Sequence, residues 1–133
     1  MLKRKHGFIS VHTGLLLGAV VISLALPSSG RADHATFKAE ILPIIEKHCL
    51  ECHVPGQDGY EKSGLDLRTY ESLMKGTSHG SIIVKGDAFT SNLMVLIEGR
   101  AGPNLKMPHG RKDLTKWEKL MLRRWINRGA QNN

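Results

Sequence analysis

The most constraining feature of this sequence is the segment CLECH, in which Cys49 and Cys52 are separated by two residues and His53 follows at once. The chain contains 2 cysteines in all, and both lie here. A pair with this spacing serves a dithiol–disulfide switch, one half of a zinc site, or covalent attachment of haem. Each use requires a different setting, so the surrounding sequence distinguishes them.

The rest of the chain favours covalent haem. Structural zinc takes four ligands, and the later histidines, His79 and His109, lack the close spacing of a second ligand pair. A thioredoxin-like dithiol lies in a βαβ unit, which no alternating pattern here predicts, and a disulfide across so small a loop would stabilise little. C-x-x-C-H is the signature of haem c, in which both thiols bond to the haem and the adjacent imidazole reaches the iron. We therefore predict one covalent haem, with His53 as the proximal ligand.

The N-terminal segment has the composition of a secretory signal peptide. A basic head over residues 3–5 precedes an apolar run over residues 14–26, and small residues precede a cleavage site before Asp33. The apolar run is shorter than the ~20 residues needed to span a bilayer. We predict a signal peptide over residues 1–32, export to the periplasm and one domain over residues 33–133. The alternative is an uncleaved anchor, which would bring the domain into contact with a membrane.

Charge is distributed unevenly along the chain. The whole chain has a net charge of +7, and four basic residues within 1–32 leave a net charge of +3 for the predicted domain, too little to indicate nucleic-acid binding. Residues 33–98 have a net charge of −4, whereas residues 99–133 have a net charge of +7. A basic end suits docking to an acidic partner surface. The candidate docking residues are Lys106, Arg111, Lys112 and Lys116.

Helical spacing of apolar residues predicts an all-α domain with long ordered loops. A first helical stripe extends from Phe37 to His48, with a kink or a new first turn at Pro43. The last helix is expected to start at Thr115 as N-cap, with Glu118 completing a capping box. Its expected apolar face consists of Trp117, Leu120, Met121, Leu122 and Trp125.

Weaker signals lie between these two helices. Short helices are expected over residues 69–75 and 88–98, each followed by a glycine that can end it. The segment SIIV over residues 81–84 is expected to be a short extended piece.

The sixth iron ligand decides between electron transfer, with both axial positions filled, and ligand binding, with one free. Met74, Met94 and Met121 lie on apolar helical faces, where core packing explains them. Met107 instead lies in the polar loop GPNLKMPHGRKDL, and a bond from its thioether to iron would explain a methionine there. We predict Met107 as the distal ligand, with His109 as the alternative.

Several segments together resemble a known family. CLECH is followed in order by SGLDLRTYESLMKG, IIVKGDAFTSNLM and KMPHGRKDLTKWEKLMLRRWINRGA. This order is similar to that of small bacterial c-type cytochromes, specifically the planctomycete-type cytochrome c domain within the class I fold. The resemblance covers residues 37–130. It implies first and last helices that cross beside the haem, Cys49 and Cys52 as thioether positions, and His53 and Met107 as axial ligands.

These observations predict a periplasmic mono-haem electron carrier with redox protein partners, not an enzyme. An alternative is a haem sensor or small peroxidase with an open or displaceable sixth position. A third interpretation is an electron-transfer subunit bound permanently to a larger membrane complex.

Overall fold

The structure is a computed structural model that describes residues 35–133. The predicted signal peptide and its alternative, an uncleaved anchor, therefore lie outside the described residues. Residues 35–133 belong to one compact unit and are all-α, as predicted, with two isolated β-bridges but no strand. The helices are α1 (Leu42–His48), α2 (Asp58–Ser63), α3 (Tyr70–Lys75), α4 (Asn92–Ile97) and α5 (Lys116–Asn127), with a π-helical turn at Phe37–Ile41 and a 3-10 turn at Pro103–Leu105.

The first helical region changes its geometry near Pro43, as the sequence predicts. Residues 37–41 form a π-helical turn, and α1 then begins with the proline in its first turn, where a missing backbone N–H is tolerated. The apolar residues of the stripe are all buried: Phe37, Ile41, Ile44 and Ile45. Burial of this face therefore holds the helical region against the rest of the domain.

The last helix begins and ends where its capping residues predict. The Thr115 Oγ1 accepts a hydrogen bond from the Glu118 N–H (3.1 Å), and the Glu118 carboxylate accepts one from the Thr115 N–H (2.7 Å). Gly129, at φ +94°, follows the C-cap residue in a conformation that favours glycine. Local chemistry alone thus defines both ends of α5.

The predicted apolar face of α5 is wrong at two positions. Met121, Leu122 and Trp125 are buried, but 56% of Trp117 and 40% of Leu120 remain exposed. The buried face is centred on Glu118, which lies one helical turn before Leu122 and points into the domain. Trp117 and Leu120 therefore lie on the outer side of the helix.

An aromatic cluster joins the first helical region to α5. The Phe37 ring packs against Trp125 (centroids 5.6 Å apart) and edge-on against Tyr70 (5.2 Å). The Tyr70 hydroxyl donates a hydrogen bond to the Ala130 carbonyl (2.7 Å), and the Lys38 N–H donates one to the carbonyl of the last residue (3.0 Å). The two ends of the domain are thus fixed to each other by rings and by hydrogen bonds.

The middle of the chain differs from its prediction in two places. Helix α4 begins at Asn92 rather than near residue 88, because Asp87 Oδ1 accepts the N–H groups of Phe89 and Thr90 in a preceding turn. Helix α2 was not predicted, and it has no buried residue to create an apolar period.

Within residues 35–133, no helix has the length and the apolar character that crossing a membrane would require.

Candidate functional site

The CLECH segment forms a tight loop directly after α1. The Cys49 carbonyl accepts hydrogen bonds from the N–H groups of Cys52 (3.1 Å) and His53 (3.0 Å). The His53 carbonyl in turn accepts one from the Leu67 N–H (3.0 Å). These bonds hold both cysteines and the histidine on one short, ordered stretch of backbone.

A cavity of about 470 Å³ opens beside this loop. Both cysteines and His53 line it, and so do Met107 and His109, which lie more than fifty residues later in the chain. Its size is within the range of about 300–1,000 Å³ that is typical of small-molecule and cofactor sites. Most of its wall is apolar, formed by Leu65, Leu67, Ile82, Leu93, Leu96, Ile97 and Leu114. The structure therefore brings all the predicted haem-binding residues to one apolar cavity.

His53 has the protonation chemistry of a metal ligand. Burial lowers the pKa of its imidazole, which favours the neutral form that binds metals. Its Nδ1 is buried and has no hydrogen-bond partner among the described residues. The Leu65 carbonyl opposes the pKa shift more weakly but does not complete a hydrogen bond of normal geometry with Nδ1. A buried ring nitrogen without a partner costs free energy unless a bound group completes the site.

The Cys49 thiol does not have the chemistry of an attacking cysteine in a redox switch. Burial, assisted by the charge of Cys52, raises the pKa of the Cys49 thiol to about 12. Attacking cysteines of dithiol enzymes instead have a lowered pKa. Cys49 is therefore a protonated, weakly nucleophilic thiol in the free chain, which argues against thiol–disulfide exchange as its role.

Helix α2 approaches the loop so closely that only glycine fits at its second position. A Cβ at Gly59 would lie 2.6 Å from the Cys52 carbonyl oxygen and 3.0 Å from Cε1 of His53. The next residue, Tyr60, donates its N–H to the same carbonyl (3.0 Å). Gly59 was not among the predicted site residues, because a lone glycine near a motif has no distinctive pattern.

The loop that carries Met107 is attached to α4 and to itself. The Met107 N–H donates a hydrogen bond to the Leu96 carbonyl (3.1 Å), and Lys106 forms an ion pair with Asp113 (2.5 Å). Met107 is half-buried and packs against the core, whereas Met94 and Met121 are core residues, as predicted. His109 also lines the cavity but is exposed.

Two of the four candidate docking residues are paired with nearby acids. Arg111 forms an ion pair with Glu51, and Lys106 pairs with Asp113. Lys112 and Lys116 are exposed and form no ion pair within residues 35–133. The free positive charge beside the cavity is therefore smaller than the sequence alone indicates.

His48 has a defined partner in addition to its place on α1. Its Nε2 lies 3.0 Å from Glu118 Oε1, which also accepts a hydrogen bond from Lys47 (2.9 Å). His48 is the residue before Cys49, and it also lines the cavity. Glu118 was predicted only as part of a capping box, since a contact with a residue seventy positions earlier has no local signature.

Comparison with known families decides the identity of this region. Residues 49–109 match the family model described as Planctomycete cytochrome C. This stretch is a planctomycete-type cytochrome c domain. No curated protein and no solved structure matches the chain. Cytochrome c domains bind haem and typically act in electron transfer rather than in catalysis.

The residues of this cytochrome domain fit a covalently bound haem. Two thiols, an imidazole with an unsatisfied Nδ1 and a thioether line one largely apolar cavity. Thiols provide the covalent attachment, whereas imidazole and thioether are the axial ligands found in cytochromes c. Cys49, Cys52, His53 and Met107 would hold the group, and the apolar wall would shield it from water.

Proposed function

We propose that residues 33–133 are a periplasmic, mono-haem c-type cytochrome of class I arrangement that carries single electrons between redox proteins. Cys49 and Cys52 attach the haem, His53 is the proximal ligand and Met107 is the distal ligand. The observation that carries this proposal is the shared cavity, which collects the attachment motif and a distant loop methionine.

The chain's own contribution is to bind, orient and shield. When bound, the haem would supply one-electron redox chemistry, by which an electron passes from a reduced partner to an oxidised one. The hydrogen-bonded CLECH loop holds His53 in place, and the apolar wall keeps water away from the cavity. Met107 would hold the group through its thioether, which would raise the potential, and together with His53 it would leave no open position for a substrate.

We also propose that partners dock through acidic surfaces next to the Met107 loop. Lys112 and Lys116 supply the unpaired charge there, while Lys106 and Arg111 are partly neutralised by their acids. Replacing both Lys112 and Lys116 by glutamine should slow reduction by an acidic redox protein at low salt and have little effect at high salt. An unchanged salt dependence would contradict electrostatic steering.

An optical spectrum of the holoprotein, matured with haem-attachment machinery, tests the function. We expect low-spin haem in both oxidation states, a methionine–iron charge-transfer band in the oxidised state and no response to carbon monoxide. Met107→Ala should abolish the band, whereas His109→Ala should leave it unchanged. Loss of low-spin character in His109→Ala alone would make His109 the sixth ligand.

The same experiment separates the alternatives. High-spin haem that binds carbon monoxide readily would indicate a sensor or a small peroxidase. Protein that lacks covalent haem after maturation would refute the whole proposal. Size-exclusion chromatography in detergent-free buffer distinguishes a free carrier from a subunit that needs a membrane partner.

A further inference from the structure

An ion pair joins the two segments that supply the proposed axial ligands. Glu51 lies inside the CLECH loop, between the two cysteines, and Arg111 lies four residues after Met107. The Arg111 guanidinium donates a hydrogen bond to the Glu51 carboxylate, although the two residues are sixty positions apart. Arg111 also lines the cavity. The pair therefore links the CLECH loop directly to the loop that carries Met107.

The other contacts of the Met107 loop run in different directions. The Met107 N–H reaches the Leu96 carbonyl at the end of α4 (3.1 Å), and the ion pair of Lys106 with Asp113 closes the loop on itself. Neither contact restrains the loop against the CLECH segment. The Arg111–Glu51 pair does, because it fixes the distance between the loop that bears Met107 and the loop that bears His53.

We propose that the Arg111–Glu51 ion pair positions the Met107 loop against the CLECH loop and so determines how readily an external ligand replaces Met107. This inference rests on the proposed function, since it requires Met107 to be the sixth ligand. Arg111 and Glu51 are positioning residues, since they would act through the placement of Met107. An external ligand enters only when the loop moves away, and that movement breaks the pair.

The exposure of the pair determines the size and the salt dependence of the effect. The side chains of Arg111 and Glu51 are 43% and 69% exposed, so water and salt screen their attraction. Exposed pairs of this kind change an equilibrium by about two- to fivefold. Breaking the pair should therefore make imidazole bind to the oxidised cytochrome about two- to fivefold more tightly at low salt, and the difference should vanish at about 0.5 M salt.

Titration of the oxidised holoprotein with imidazole tests the proposal. Binding of imidazole is measured as loss of the methionine–iron charge-transfer band. The variants are Arg111→Gln, Glu51→Gln and the double variant, which should match either single variant because all three lack the same pair. Exchanging the two charges (Glu51→Arg with Arg111→Glu) should restore affinity toward the original value. Lys112→Gln is the matched control, because it removes a charge from the same loop at a residue that forms no ion pair within residues 35–133.

The outcomes separate this proposal from the function on which it rests. If the unmodified protein lacks the charge-transfer band, Met107 is not the ligand, and both the distal assignment and the positioning role are wrong. If the band is present but Arg111→Gln binds imidazole no more tightly than Lys112→Gln does, the positioning role alone is wrong. Additive effects of the two single variants would likewise overturn it, because residues that act through one shared contact are not additive.

Discussion

Glu118 offers the sharpest test of how the end of α1 is held beside the cavity. Its Oε2 accepts the Thr115 N–H (2.7 Å), while its Oε1 accepts hydrogen bonds from Lys47 (2.9 Å) and lies 3.0 Å from His48. Burial by itself would raise the pKa of this carboxyl group. The hydrogen bonds from Thr115, Lys47 and His48 outweigh burial and lower the pKa to about 2.

The shifted pKa sets the magnitude of the expected effect. A carboxyl group that titrates at about 2 when folded, against 4.5 when unfolded, stabilises the folded state above pH 4.5. At ~1.4 kcal/mol per pKa unit, the shift from 4.5 to about 2 corresponds to at most roughly 3–4 kcal/mol. The Lys47 side chain is 65% exposed, so solvent screens the part of this stabilisation that comes from Lys47. We therefore expect Glu118→Gln to lower the free energy of unfolding by about 2 kcal/mol at neutral pH.

The pH dependence distinguishes this mechanism from simple loss of packing. Because the pKa of Glu118 is lowered on folding, its contribution disappears as the pH falls from 4.5 toward 2, where the folded state also takes up the proton. The difference in unfolding free energy between the original protein and Glu118→Gln should therefore shrink over this range. Urea unfolding of both holoproteins, followed by circular dichroism at several pH values, measures it.

Glu46→Gln is the matched control for this experiment. The Glu46 side chain is exposed on α1, next to Lys47, and makes no hydrogen bond or ion pair within residues 35–133. Its replacement should change the free energy of unfolding by less than about 0.5 kcal/mol. A Glu118→Gln variant as stable as the original at neutral pH, or a deficit that persists undiminished at pH 2, would refute the reasoning.

Three further substitutions test the packing around the site. Gly59→Ala should lower the unfolding free energy of the holoprotein by about 1–3 kcal/mol, because the new Cβ would lie 2.6 Å from the Cys52 carbonyl oxygen. Urea unfolding measures this change, and an unchanged unfolding free energy would mean that α2 moves away to make room. Tyr70→Phe removes a hydroxyl that donates a hydrogen bond of 2.7 Å and should cost about 1 kcal/mol by the same assay; no loss would mean that water replaces the bond. Trp125→Ala should lower the unfolding free energy by about 3–5 kcal/mol, because Trp125 is buried. Trp117→Ala should lower it by less than about 0.5 kcal/mol, because Trp117 is exposed. Equal decreases in the thermal unfolding temperature of the two variants would contradict the orientation of α5.

The caps and the apolar periods of the helices could be predicted because they are local. The capping box between Thr115 and Glu118, the glycine after α5 and the break at Pro43 each involve residues within a few positions of one another. The structure differs from the sequence prediction at α2 and at Trp117, which both depend on packing. Helix α2 buries no residue, so it lacks a period, and the exposed side of Trp117 depends on a buried Glu118 that any hydropathy pattern places outside.

The candidate site likewise contains some residues that the sequence pattern identifies and others that it does not. The spacing of Cys49, Cys52 and His53 indicates haem attachment by itself, because the chemistry requires those residue types close together in the chain. Met107 could be singled out by its polar surroundings, and the structure places it at the same cavity as the motif. That Gly59 allows α2 to approach His53 follows only from a backbone distance that no residue pattern encodes.

What the sequence by itself determined is thus the all-α class, the ends of the main helices and the close spacing of two thiols and an imidazole in CLECH, since each depends on neighbours along the chain. Only the tertiary structure decided which distant groups meet: Arg111 with Glu51, which joins the CLECH loop to the Met107 loop, and His48 with Glu118 at the end of α1. The physical reason is that such contacts depend on how helices and loops pack as whole units. A single charged residue in a basic segment is compatible with many partners, and packing selects one of them.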